Sequence, residues 1–273
     1  MTPIRKSPPP KICREVKLST DKLVRSVKEA AKENEANFPQ VSKTKRGIIE
    51  DYVYKDTIKK PEHRVKLARM AIPMKTFWRG QRILTVSFLS GHKTVKERIE
   101  EHAKKWMDHM GIELKFVRNS RKPADIRIAF DLNDGSWSYV GTDARTIEDD
   151  EPTMNYGWLY PDTEDEEYHR TVLHEFGHAL GCIHEHQHPS GGIPWDKPKA
   201  YAYYAQQGWT REEVNQQVFR KYSGNLCRES IVDKRSIMMY PIPQDITIGN
   251  FKVNWNNTLS PKDKVYISKV YPK

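Results

Sequence analysis

Apolar residues change their spacing along this 273-residue chain soon after Phe77. Residues 82–89 place them on alternate positions, which is typical of a strand. Residues 94–110 repeat them three and four positions apart, which predicts a helix packed on a sheet. Shorter strand patterns follow at 114–117, 125–130 and 154–159. This order of elements predicts an α+β fold, with a mixed, twisted sheet beneath two long helices.

The second long helix is expected to start at Tyr168 or His169 and to end at Leu180. After residue 184 the regular apolar spacing is lost, which predicts a loop-rich C-terminal subdomain. Three shorter helices are expected at 197–207, from Thr210 onward, and at 261–270. The last of these has a serine at the N-cap and a proline at its first position, both of which favour a helix start.

The first 75 residues differ in composition from the rest. They carry 19 Lys and Arg against 9 Asp and Glu, which accounts for the whole net charge of +10. One helix is expected there, with Ser19 or Thr20 as N-cap and an end before Pro39. We therefore predict a basic, partly disordered N-terminal extension (1–75), a candidate pro-segment, followed by one domain (76–273). The excess charge is interpreted as a solvated tail rather than a nucleic-acid or membrane-binding surface.

The chain contains no apolar run long enough to span a membrane, and its first residues lack the apolar stretch of a secretory signal. This predicts a cytoplasmic protein by default, or a secreted one if the start is truncated. Cys13, Cys182 and Cys227 are expected to be free thiols, since three cysteines form one disulfide at most.

Residues 174–184 read HEFGHALGCIH and fit the pattern H-E-x-x-H-x-x-G-x-x-H. On a helix, His174 and His178 project from one face, so both imidazoles can meet one metal ion. Gly181 can adopt a positive φ, which ends the helix and lets His184 return as a third ligand. Three protein ligands leave one coordination position open, as in catalytic zinc sites. The sequence therefore predicts one Zn²⁺ per chain.

Glu175 lies beside the ligands, where its carboxylate can reach a water molecule on the metal. Zinc would lower the pKa of that water from about 15.7 to about 7. Glu175 would then act as general base and return the proton to the leaving amine. We predict a zinc-dependent metalloendopeptidase that acts on a protein or peptide substrate as a monomer, with no nucleic-acid partner. The alternative is a non-catalytic or latent zinc-binding protein whose basic N-terminal segment binds a partner.

Downstream, residues 236–240 read SIMMY. Together with the long histidine motif, this segment resembles the methionine turn of the metzincin metallopeptidases. The resemblance implies a zincin-like catalytic domain in which Met238 lies beneath the three histidines without binding the metal.

Three features are similar to the astacins within that group: Glu185 after the third histidine, the S-x-M-x-Y pattern, and GSWSYVG at 135–141. The resemblance implies that Tyr240 binds the zinc or hydrogen-bonds the reacting carbonyl. The arginines that usually follow the glutamate are missing, which leaves the role of Glu185 open. In metzincins an extended substrate adds to an exposed edge strand of the sheet. Here the residues expected at that edge are Met154, Asn155, Tyr156 and Gly157.

Two acidic clusters, 148–151 and 162–167, flank that proposed edge strand. Their charge opposes that of the N-terminal segment, so one hypothesis is that this segment docks near the cleft and restrains activity. The alternative is that both are simply solvated. Cys13 invites comparison with the zinc-blocking cysteine of matrixins, but its flanking residues differ, so a blocking role is not expected. His186 and His188 are expected to face solvent.

Overall fold

The computed structural model describes residues 11–16, 18–33, 37, 76–78, 82–118, 123–222 and 232–273. Within these residues, six strands form one sheet in the order β1-β5-β6-β4-β2-β3. The strands are β1 (Arg14–Glu15), β2 (Ile83–Phe88), β3 (Glu113–Phe116), β4 (Ile126–Ala129), β5 (Trp137–Ser138) and β6 (Met154–Asn155). Only the β5–β6 pair is antiparallel, so the sheet is mixed as predicted.

The helices of the described residues are α1 (Thr20–Glu33), α2 (Lys93–Lys104), α3 (Asp165–Ala179), α4 (Lys197–Ala205), α5 (Arg211–Val214) and α6 (Pro261–Val270). A 3₁₀ turn, Lys105–His109, continues α2. The predicted helices are therefore confirmed, with small shifts at their ends. The helix α3 begins earlier than predicted, and its first turn holds three carboxylates that its dipole stabilises. None of the described helices is long and apolar enough to cross a membrane.

Helix α3 passes through the centre of the domain. From Thr171 to Ala179 its residues are all buried, because α3 packs against both the sheet and the C-terminal part of the chain. Two indoles fix its position: Trp106 Nε1 donates to the carbonyl of Leu173 at 3.0 Å, and Trp78 Nε1 donates to that of Ala179 at 2.7 Å. Buried hydrogen bonds of this kind hold the helix at one depth and one rotation.

The prediction that residues 154–157 form an exposed edge strand is wrong. Met154 and Asn155 lie inside the sheet, where β6 pairs with β4 on one side and β5 on the other. Residues 154–157 are all buried, and the Asn155 side chain donates to the carbonyls of Asp131 and Gly135. The backbone of Met154 and Asn155 therefore has no free side to offer a substrate. β5 lies next to β6 in the sheet, and the other side of β5 pairs in parallel with β1.

The N-terminal segment docks on the domain. Helix α1 buries Val24, Val27, Ala30 and Ala31 and packs against the 3₁₀ turn Gly141–Thr146. Lys22 pairs with Glu151 at 3.2 Å and Arg25 with Glu148 at 3.4 Å, which joins the basic segment to the first acidic cluster. For residues 11–16 and 18–33 the solvated-tail interpretation is therefore wrong. Most of residues 34–75, including the basic run 43–46, lie outside the described residues.

Candidate metal centre

The three histidines of the motif meet at one point. His174 and His178 lie one turn apart on α3, and Gly181, with φ of 92°, reverses the chain so that His184 returns to them. The Nε2 atom of His184 lies 3.2 Å from Nε2 of His174 and 3.0 Å from Nε2 of His178. All three side chains are buried. The spacing of the motif therefore produces the predicted cluster.

The second ring nitrogens explain why this cluster suits a cation. His174 Nδ1 lies 2.8 Å from the carbonyl of Ile237, and His178 Nδ1 lies 2.9 Å from that of Cys182. A carbonyl only accepts, so each Nδ1 carries the proton and each Nε2 presents a lone pair to the cluster. Burial lowers the pKa of all three histidines, that of His178 to about 4, so the rings are neutral. Converging lone pairs repel unless a cation lies between them, and three neutral imidazoles fit zinc.

Glu175 is buried next to this cluster. Neither of its carboxylate oxygens has a nitrogen or oxygen hydrogen-bond partner among the described residues. Burial raises its pKa to about 8, while a hydrogen bond from the Cys13 thiol and the charge of Arg170 oppose that rise. Burying a carboxylate without nitrogen or oxygen partners costs free energy of folding. Residues that only stabilise a fold rarely carry this cost, so the burial of Glu175 points to a function.

Met238 packs against helix α3, which carries His174 and His178. A side chain at Gly177 would approach Met238 Sδ to 2.4 Å, so the thioether lies directly against the backbone of α3. Ser236 and Asp263 hold this turn: Asp263 accepts from the Ser236 hydroxyl at 2.7 Å and from the Ile237 amide at 2.8 Å. These bonds fix the turn that places Met238 against α3.

Glu185 is also bonded to the segment that carries Met238. Its amide donates to the carbonyl of Met238 at 3.0 Å, and its carboxylate accepts from the amide of Asp233 at 2.7 Å. These two bonds tie the residue after the third histidine to the segment that carries the methionine. The sequence left the role of Glu185 open, and the structure makes it a link between the two.

Tyr240 lies over the histidine cluster. Its ring centroid is 4.5 Å from that of His184 and 4.2 Å from that of His186, on which it stacks. The expectation that His186 and His188 face solvent is wrong, since both are buried. His186 Nε2 lies 2.7 Å from the carbonyl of Gln217, because the segment 215–219 folds back over the 3₁₀ turn Glu185–Gln187.

Cys13 also lies at the centre, which the sequence did not predict. Its thiol, a nitrogen of His174 and an oxygen of Glu175 all lie within 4.8 Å of one another. Tyr240 donates its hydroxyl proton to the Cys13 carbonyl. Burial and the nearby Glu175 raise the pKa of the thiol well above its ordinary value. In the sequence, Cys13 is a lone cysteine in a basic extension, and its flanking residues do not reveal that it lies beside the histidine cluster.

The comparison with family models connects this geometry to known proteins. The model of the Astacin peptidase family matches residues 71–270. This chain belongs to the astacin family. The matched region begins near the predicted boundary at residue 76, and it leaves β1 and α1 outside.

Two solved structures of myroilysin resemble this astacin-family chain at 42% sequence identity and 72% coverage of it. One has a TM-score of 0.69 with 96% of the myroilysin chain covered, and the other 0.57 with 86%. The hatching enzyme HCE-1, a zinc-protease from the medaka fish Oryzias latipes, has 17% identity and a TM-score of 0.51. That match covers 72% of this chain and 94% of the hatching enzyme. The search of curated proteins gave no match.

Membership of the astacin family makes this chain a metallopeptidase of the metzincin type, and the proteases of this family use zinc. The three histidines form a group that could hold the metal. Beside them, within the described residues, lie the buried carboxylate of Glu175 and the buried phenol of Tyr240.

Proposed function

We propose that the chain is a zinc-dependent metalloendopeptidase whose metal is held by His174, His178 and His184. The observation that carries this proposal is the convergence of the Nε2 atoms of three buried histidines beside a buried carboxylate whose oxygens lack nitrogen and oxygen partners among the described residues. Bound zinc would supply Lewis-acid chemistry, since it polarises a carbonyl and makes a water molecule acidic near neutral pH.

Proton transfer is then the task of Glu175. It sits next to His174 in sequence and in space, and it can take a proton from the attacking water and pass it to the leaving amine. Tyr240 is placed beside His184, where its hydroxyl can donate to the oxyanion of the tetrahedral intermediate. That hydroxyl is engaged with the Cys13 carbonyl, so it becomes available only when the N-terminal segment leaves.

Metal removal tests the proposal. The chain is first treated by limited proteolysis, which removes the N-terminal segment from the site. It should then lose casein hydrolysis in a zinc chelator and recover it when zinc is restored. His184→Ala should lower both zinc content and hydrolysis, because two ligands hold the metal less tightly than three. His109→Ala is the matched control, since this half-buried histidine lies outside the cluster. A His184→Ala protein with full zinc content would show that the third ligand is misassigned.

A second part of the proposal is that the intact chain is latent. Residues 11–16 lie across the site. The Lys11 carbonyl accepts from Arg170, the Cys13 thiol lies beside His174 and Glu175, and β1 pairs with β5. A substrate needs this same space. The thiol of Cys13 lies near enough to His174 to compete with water or substrate for an open coordination position.

Substitution of the cysteine tests latency. Cys13→Ala should raise the peptide hydrolysis of the intact chain, because the remaining segment blocks the site without a ligand atom. Cys182→Ala is the matched control, since Cys182 is also buried and reduced but, among the described residues, its thiol belongs to no group of possible metal ligands. Equal, low activity in both variants and in the wild type would remove the thiol from the latency mechanism and leave the zinc proposal untouched.

A further inference from the structure

Arg170 lies on α3 one turn before His174, on the same face of the helix. Its side chain is largely buried, and it lines the same small pocket as Ile12, Cys13 and His174. Because residues four apart share a helix face, its guanidinium lies next to the histidine cluster. Neither the zinc motif nor the methionine turn requires an arginine here.

The guanidinium is held in one orientation. Glu167 accepts from Arg170 Nε at 3.1 Å and from Nη2 at 2.6 Å, which is a two-point pairing. Glu167 is itself fixed by Trp158 Nε1 at 2.7 Å and by the Thr171 hydroxyl at 3.2 Å. On the other side, the guanidinium carbon lies 4.1 Å from the ring centroid of Trp255. These contacts pre-order the arginine.

One N–H of Arg170 points out of this arrangement. Nη2 carries two N–H bonds, and Glu167 takes one. The other goes to the main-chain carbonyl of Lys11 at 3.1 Å. When the N-terminal segment leaves, this donor loses the Lys11 carbonyl and faces water. A substrate that covered it without supplying an acceptor would leave a charged donor buried and unpaired, which is costly, so a substrate carbonyl is favoured there.

We infer that Arg170 is a substrate-positioning residue that donates this N–H to a main-chain carbonyl about two residues from the bond that is cut. Four residues of helix rise roughly 6 Å, and an extended chain advances roughly 3.3 Å per residue. The spacing of the N-terminal segment agrees, since Lys11 is two residues from Cys13. Because Glu167 neutralises the guanidinium, the site suits a carbonyl of any peptide rather than an acidic side chain.

This inference rests on the proposed peptidase function, and a series of peptide lengths tests it separately. The full chain and Arg170→Met are activated by the same limited proteolysis, and their zinc contents are compared. Peptides are shortened one residue at a time from either end. Arg170→Met should raise KM about 10- to 100-fold for long peptides, with little change in kcat, because the bond is made in substrate and transition state alike. With peptides too short to reach Arg170, wild type and variant should be equal.

Arg98→Met is the matched control. Arg98 also stacks on an aromatic ring, at 3.7 Å from the Tyr168 centroid, and pairs with a carboxylate, but it donates to carbonyls of the 161–163 turn. Its removal should give no length-dependent effect. An Arg170→Met enzyme whose KM change is the same for all lengths would overturn the inference and leave a structural role.

A second measurement uses only the wild-type enzyme, in case Arg170→Met does not fold. A trans-alkene replaces each peptide bond of the long substrate in turn, which removes one carbonyl at a time. One replacement about two residues from the cut should raise KM as much as shortening does. If no such position exists while the wild type cleaves the parent peptide, the inference is wrong and the peptidase function stands.

Discussion

Val27→Ala in helix α1 gives a quantitative test of latency. Val27 is 1% exposed, and α1 docks on the turn Gly141–Thr146 through this side chain and its apolar neighbours. Loss of two buried methyl groups costs about 1.5–2.5 kcal/mol of docking free energy. Each 1.4 kcal/mol changes an equilibrium about tenfold, so the undocked fraction should rise roughly 10- to 60-fold.

The assay is hydrolysis of a fluorogenic peptide by the intact, uncleaved chain, compared with the same chain after limited proteolysis. Val27→Ala should raise the activity of the intact form toward that of the cleaved form, whose own activity is unchanged. Val95→Ala is the matched control, because Val95 is as deeply buried but lies in α2, away from the N-terminal segment. Equal effects of the two substitutions, or none from Val27→Ala, would refute docking as the source of latency.

Three other predictions concern the same site and segment. Tyr240→Phe should lower kcat of the activated enzyme by about 10- to 1000-fold with unchanged zinc content and KM, measured by steady-state kinetics; an unchanged kcat leaves Tyr240 structural. Burial against α1 raises the pKa of Asp143 from 3.8 to about 7, so its contribution to docking is complete below about pH 4 and lost as pH rises through about 7. Intact-chain activity, relative to cleaved chain, should rise over that interval, and Asp143→Asn should flatten the rise. The ion pairs of Lys22 and Arg25 are partly to largely exposed and worth about 0.2–1 kcal/mol each, so raising salt from about 0.01 M to 1 M should increase intact-chain activity about 2- to 30-fold; a change well above 100-fold would mean that charge dominates docking.

The sequence predicts what depends on local spacing. His174 and His178 converge because the helix repeat puts them on one face, and His184 joins them because Gly181 adopts the positive φ that the motif needs. The cap of α6 is equally local: Ser260 accepts from the Asp263 amide, and Asp263 accepts from the Ser260 amide.

Features that depend on distant contacts were missed. The strand pattern at Met154 says that residues are extended and buried, but not which strands flank them. His186 looks like a surface residue in sequence, and only the return of segment 215–219 buries it. Cys13 reaches the cluster because β1 pairs with β5, more than 120 residues away, and no local pattern carries that information.

The central claim is that the buried carboxylate of Glu175 serves peptide hydrolysis beside a zinc ion held by three histidines. Glu175→Gln tests it most directly, because the amide keeps the shape of the side chain but cannot accept the proton. Zinc content by elemental analysis and hydrolysis of a peptide should be measured on the same activated sample. We expect one zinc per chain, as in the wild type, with hydrolysis abolished. Equal zinc with activity near that of the wild type would contradict it.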